Sequence, residues 1–425
     1  MTTKYRPRVL DNLLKRKLEG IGAVLLEGPK LCGKTTTAEQ FANSVLYMAN
    51  PEDREENIQM ANLKPSLLLK GATPRLIDEW QLAPELWDAV RFEVDHRAQV
   101  GQFILTGSAV PADRSTIFHT GTGRIAWLKM RTMSLFESGD SSGQVSLSTL
   151  FNGDLNIEGV NNLGIEDIAY LTCRGGWPTA IDQPRQSSLD RAFDYYDAIV
   201  NVDVSRVDGI KREPERTKLL MRSYARNLGT SVSVSVLRND MINNDEKNLS
   251  ETTVLSYLNA LKQIFVIEDL PAWNPNLRSK TSIRTADTRY FSDPSIATAA
   301  LGLGPDDLLN DLKTFGFLFE TLCIRDLRVY TDALLGTIYH YRDKNNLECD
   351  AVLHLRNGHY GLVEIKFGGD KLIEEGASTL KALASKIDLQ KMREPSFLMV
   401  LTAVGRYAYQ RDDGVLVVPI GCLKN

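Results

Sequence analysis

The octet GPKLCGKT at residues 28–35 constrains this chain more than any other feature, because it fills every fixed position of G-x-x-x-x-G-K-[ST]. Gly28 and Gly33 admit backbone conformations closed to other residues, so successive N–H groups can turn toward one anion. Lys34 is then placed to neutralise the outer phosphates of a nucleoside triphosphate, and Thr35 to offer its hydroxyl to Mg²⁺. The apolar run AVLLEG (23–28) ahead of the octet reads as a strand. The segment TTTAEQFANSVLYM (35–48) behind it reads as a helix whose positive end faces the same anion. Pro29, Lys30, Cys32 and Thr36 lie within this turn and are expected to touch the nucleotide. ATP and Mg²⁺ are thus the expected cofactors.

Two further strand ends extend the site. RLIDEW (75–80) closes an apolar run with two carboxylates, of which Asp78 is assigned to the metal and Glu79 to activation of the attacking water. FILTGS (103–108) ends in polar residues, and Ser108 is the candidate sensor of the γ-phosphate. Together with SLLLKG (66–71), these runs alternate with helical patterns such as APELWDAVRFEVDHRA (83–98), which is how a parallel sheet with crossover helices reads. Arg124 is the candidate arginine finger offered to a neighbouring subunit, with Arg131 as its rival.

At 425 residues the chain exceeds one ordinary core, since domains average roughly 150 residues. We expect three: a P-loop core over 1–140, a helical module over 141–290 and an α/β domain over 291–425. A polar, Gly/Ser-rich stretch opens the second. Its helical patterns run into IFVIEDLPAW (264–273), expected to be a strand, so that a helical lid or winged-helix-like fold is implied. The five cysteines are scattered without metal-ligand spacing, and no segment has the length and apolarity of a membrane span or an export signal. A cytoplasmic protein is expected. A net charge of −4 limits any nucleic-acid contact to local patches, such as Lys211, Arg212, Arg216, Lys218, Arg222 and Arg226.

A second constellation lies near the carboxyl end. The segment 340–369 reads as a β-meander, with Asn357 and Gly358 as a hairpin turn. Asp350 starts one of its strands, and Glu364 and Lys366 share a face of the next by period-two alternation. Glu320, on an amphipathic helix before them, supplies a third carboxylate. Hard oxygen ligands from Asp350 and Glu364, with a lysine beside them, suit Mg²⁺-dependent phosphodiester hydrolysis.

In order along the chain, GPKLCGKT, LIDEWQLAPELWDAVRFEVD, FILTGSA, GRIAWLKMRTMSLFE, RGGWP, YLNALKQIFVIEDLPAW, RYFSDPSIA, FGFLFETLCIRDL and VEIKFG resemble the bacterial and archaeal AAA+ ATPases that end in the domain of unknown function DUF4143. The resemblance implies an AAA+ parallel-sheet core, a winged-helix-like middle and a carboxyl-terminal domain similar to the PD-(D/E)XK nuclease fold of archaeal Holliday junction resolvases. Glu320, Asp350, Glu364 and Lys366 match that fold's active-site positions, although Cys349 stands where its proline would precede Asp350. The implied function is an ATPase, assembled as a homo-oligomeric ring, that binds or remodels DNA, branched DNA included. The alternatives are an ATP-regulated nuclease and a nucleotide-switched interaction protein whose nuclease-like domain is silent.

Overall fold

The structure, a computed structural model, describes residues 5–109, 121–242, 249–278, 280 and 282–425. Two compact units emerge, and neither is contiguous in sequence. The first comprises residues 1–132, 201–213 and 258–266, and the second comprises 133–200, 214–257 and 267–425.

The first unit is built on five parallel strands, β1 (Ala23–Glu27), β2 (Ser44–Tyr47), β3 (Arg75–Asp78), β4 (Phe103–Gly107) and β5 (Ile125–Lys129). Their order in the sheet is β2-β3-β4-β1-β5. Register aligns their carboxyl ends: Asp78 lies opposite Thr106, and Thr106 opposite Leu26. Apolar residues occupy both faces of the central strands, as a parallel sheet covered on two sides requires. One face packs Leu25, Ile77, Phe103 and Leu105 against Leu86, Trp87, Val90 and Val94 of the helix Glu85–Arg97, with the Trp80 and Trp87 rings 5.0 Å apart.

Two local expectations fail here. The helix after the octet is only Lys34–Glu39, and SVLY becomes edge strand β2 instead of continuing it. Parallel pairing with β3 supplies backbone partners to this β-branched and aromatic segment, and that outweighs its helical spacing. SLLLKG forms no strand. Pro65 opens a 3₁₀ turn over Pro65–Leu67, and Leu69 is fully buried in the core beneath it.

The second unit begins with two-residue strands β6 (Val145–Ser146) and β7 (Gly159–Val160) and a set of helices. Its main sheet contains β8 (Gly336–Arg342), β9 (Glu348–Leu355), β10 (Tyr360–Lys366), β11 (Phe397–Thr402), β12 (Tyr407–Gln410) and β13 (Leu416–Pro419). The order is β7-β12-β13-β11-β10-β9-β8, while β14 (Leu423–Lys424) pairs with β6. The expected meander is present as antiparallel β8-β9-β10. Gly358 adopts φ +83° in its second turn, and the amide of Leu355 donates to the carbonyl of His359 across that turn. The apolar face of helix Asp370–Lys386 covers β10 and β11 through Ile373, Ala377, Leu380 and Leu383.

IFVIEDLPAW is not a regular strand. It makes isolated bridges at Ile267–Phe291, Leu270–Thr288 and Ala272–His340, because Phe265 turns to φ +59° and Pro271 has no amide hydrogen to donate. The sequence motifs RGGWP, FSDPS and CIRD meet in one buried knot. Arg325 pairs with Asp326 at 2.7 Å and Asp293 at 3.2 Å, the amide of Gly176 donates to Asp293, and the Trp177 indole donates to Ser295.

Candidate functional site

The octet forms a tight loop between β1 and the helix Lys34–Glu39. A Cβ added to Gly28 would lie 2.0 Å from the carbonyl oxygen of Met130, and Gly33 holds φ +100°, so glycine is required at both positions. Leu31 also turns to φ +62°. The buried Lys34 ammonium donates to the carbonyls of Gly28 at 3.0 Å and Pro29 at 2.8 Å, on the concave side of the loop. Arg8, itself buried, clamps the loop from outside by donating to the carbonyls of Cys32 and Arg131, each at 2.8 Å. The Cys32 thiol packs at the base, 3.5 Å from the Met130 carbonyl. Thr36 is exposed on the helix, where its carbonyl accepts from Gln40.

The strand ends meet at the loop as expected. The Thr35 hydroxyl donates to Asp78 Oδ1 at 2.6 Å, and Thr106 donates to the same oxygen at 2.7 Å. Glu79 sits at φ +56°, a left-handed conformation that few non-glycine residues adopt. Its carboxylate accepts from Ser108 at 3.0 Å and from the Gln81 side-chain amide. Thr106 belongs to the polar end of FILTGS and faces Asp78, whereas Gln81 is a neighbour of the site that motif reading missed, its only signal being its place two residues after the acidic pair. Arg8 and Asp203, whose carboxylate reaches Lys30 at 2.5 Å, had no sequence signal at all.

Arg124 is exposed and rests in an ion pair with Asp95 at 2.8 Å. That pair, ahead of the other neighbouring charges, holds the Asp95 carboxyl below its ordinary value. Arg131 is buried, and its carbonyl accepts from Arg8. Three members of the basic run 211–226 are paired with local acids. Arg212 is buried against Asp208, Lys218 pairs with Glu215, and Arg226 pairs with Asp240.

In the second unit the four carboxyl-terminal candidates converge. Lys366 Nζ lies 2.5 Å from Glu364 and 3.6 Å from Asp350 Oδ2, and the same Asp350 oxygen accepts from the amide of Ile365 at 2.7 Å. Glu320 accepts from the buried Tyr290 hydroxyl. Burial, with Asp350 nearby, pushes both Glu320 and Glu364 up to about 8. Burial opposes the Lys366 ammonium, yet Asp350 and Glu364 outweigh it and hold its pKa above the usual lysine value. The second oxygen of Glu364 is buried without a hydrogen-bond partner. Among the described residues, no group of three or more His, Cys, Asp or Glu side chains is arranged to hold a metal ion.

Three family models match successive parts of the chain. Residues 21–138 match the AAA domain family, residues 165–307 the domain of unknown function DUF8612, and residues 315–423 the domain of unknown function DUF4143. The chain therefore carries an AAA-type ATPase domain and a DUF4143 domain. It is similar to the uncharacterized proteins Mb2031c of Mycobacterium bovis and Rv2008c of Mycobacterium tuberculosis, each 24% identical over 414 residues, covering 96% of this chain and 82% of theirs. Among solved structures, the Walker-type ATPase PABY2304 of Pyrococcus abyssi aligns at 14% identity and TM-score 0.42, over 71% of this chain and 99% of its own. The Hef helicase domain of Pyrococcus furiosus aligns at 12% identity and TM-score 0.21, over 61% of this chain and 68% of its own. Among the described residues, no helix is long and apolar enough to cross a membrane.

Proposed function

We propose that the chain hydrolyses ATP at the loop formed by residues 28–35 and couples the turnover to DNA held by its carboxyl-terminal domain. The observation that carries the ATPase reading is the junction of Thr35 with Asp78, 2.6 Å apart, beside a second carboxylate, Glu79, that two donors hold in place. The Thr35 hydroxyl and Asp78 carboxylate are hard oxygen donors of the kind Mg²⁺ takes, and both are reached from the phosphate loop. A bound Mg²⁺ would offset charge on the β and γ phosphates. Lys34 exchanges two loop carbonyls for phosphate oxygens. Glu79 accepts a proton from the attacking water once Ser108 and Gln81 let its carboxylate turn to the γ-phosphate. Arg124 would complete the site of a neighbouring subunit after leaving Asp95, so that a homo-oligomeric ring is the working form.

The DNA part rests on the carboxyl-terminal cluster and on the likeness of its residues to the PD-(D/E)XK pattern. A second reading, metal-dependent phosphodiester cleavage with Mg²⁺ at Asp350 and Glu364, is favoured by the orphaned, buried oxygen of Glu364. Lys366 would have to give up its present contacts for a cation to enter. The test is ATP turnover by the full chain with linear duplex, single-stranded or four-way DNA added. Stimulation by one of them supports the coupling, and turnover indifferent to all three refutes it. Cleavage of any of these in Mg²⁺, lost in Lys366→Ala, would establish the second reading.

A further inference from the structure

Lys30 is the one long cation inside the octet besides Lys34, and its ammonium is already engaged. It lies 2.5 Å from Asp203 Oδ1, with the lysine about half exposed and the carboxylate nearly buried (side-chain exposures 46% and 10%). Asp203 is far away in sequence. It closes a π-helical turn, Ile199–Asp203, and the chain enters the ATPase unit within that turn, at residue 201. π-Turns are rare and tend to mark functional positions. The residues that follow form a rigid knot: Ser205 accepts from the amide of Arg212, and the guanidinium of Arg212 donates to the Val204 carbonyl and to Asp208. Asp203 thus borders a hydrogen-bonded turn and meets the loop through its side chain.

A triphosphate entering the loop brings several negative charges to the place where Lys30 and Lys34 reside. Lys34 is released from neutral carbonyls, whereas Lys30 must be released from a carboxylate. We propose that Asp203 is a positioning residue of the nucleotide site that competes with polyphosphate for Lys30, so that the empty loop is latched to residues 201–213 and the filled loop is not. This rests on the ATPase reading above. A carboxylate that is nearly buried is poorly stable without its cation, so release of Lys30 leaves Asp203 seeking a new partner or more water. That gives segment 201–213 different stabilities in the two states, which is the requirement for a ligand-driven switch.

The test is a double-mutant cycle on the full chain, with ATP and ADP affinity read by calorimetry and turnover read by phosphate release. Asp203→Asn should tighten ATP binding by about fivefold, the scale of one partly exposed ion pair, with the gain appearing in KM and not in kcat. Lys30→Met should weaken binding, and in its background Asp203→Asn should add nothing. Unfolding midpoints monitor folding, and Asp203→Ser serves as the second variant if the asparagine form is destabilised. Equal or weaker ATP binding by both folded Asp203 variants overturns the latch, as does full additivity of the cycle. If the folded wild-type chain binds no nucleotide, it is the ATPase reading that fails.

Discussion

Raising the pH should destabilise the second unit of this protein, and the carboxyl-terminal cluster sets the size of the effect. Glu320 and Glu364 are buried beside Asp350, and both ionise at about 8 rather than at their ordinary 4.5. Between those values the folded chain keeps protons that the unfolded chain has released. Stability therefore falls as pH rises through this window, and the loss is complete above the folded pKa. One carboxyl moved from 4.5 to about 8 corresponds to roughly 5 kcal/mol. Because the two glutamates share Asp350 and Lys366, we assign on the order of 5 kcal/mol to the pair. The assay is urea unfolding at several pH values from about 5 to 9, followed by the fluorescence of Trp177 and Trp273, which lie in this unit. To isolate their signal, Trp80, Trp87 and Trp127 of the other unit are replaced by phenylalanine. Glu364→Gln, neutral throughout, should flatten the slope by about half. A midpoint that rises with pH, or a slope untouched by Glu364→Gln, would refute the buried protonated carboxyls.

The other expectations concern the loop and the buried knot. Lys34→Ala should lower ATP affinity at least tenfold in calorimetry, since it removes the cation at the centre of the loop while leaving the glycine turns intact. Glu79→Gln should bind ATP like the wild type yet turn over roughly 10²–10⁴-fold more slowly in a phosphate-release assay, the usual worth of a general base. Gly28→Ala places a carbon 2.0 Å from a backbone oxygen that has no rotamer to yield. A loss of about 1–3 kcal/mol in chemical denaturation, with nucleotide binding impaired, is expected. Asp293→Asn leaves Arg325 buried with one carboxylate fewer and should cost about 3 kcal/mol by the same measurement.

The octet, the acidic strand end and the meander were legible because each is fixed by local chemistry. Glycine freedom sets the loop, a carboxylate at a strand end sets Asp78, and Asn357–Gly358 sets the hairpin. SVLY and SLLLKG were misread because their structure is decided elsewhere in the chain. One adopts the strand form offered by β3, and the other is bent by Pro65 and drawn into the core through Leu69. The same distance effect hid Asp203 and Arg8, which reach the loop across 173 and 24 residues of sequence. The basic run 211–226 shows what one dimension leaves out. Arg212, Lys218 and Arg226, which look like part of a patch in one dimension, have acids beside them from the same or a neighbouring segment. Glu320, Asp350, Glu364 and Lys366 could be picked as a set from their order. That burial pushes the Glu320 and Glu364 carboxyls up to about 8 is something spacing does not encode.

The interleaving of the two units has a consequence at the level of the gene. The chain passes from one unit to the other five times, with residues 201–213 and 258–266 returning to the ATPase. No single crossover can therefore transplant this ATPase onto a different carboxyl-terminal domain, because a fusion made after residue 132 leaves Asp203 and the 258–266 strip behind. Exchange of the whole assembly, or gradual divergence of both units together, is the route open to relatives of this chain. A recombinant fragment cut at the end of the P-loop sheet would meet the same obstacle at the bench.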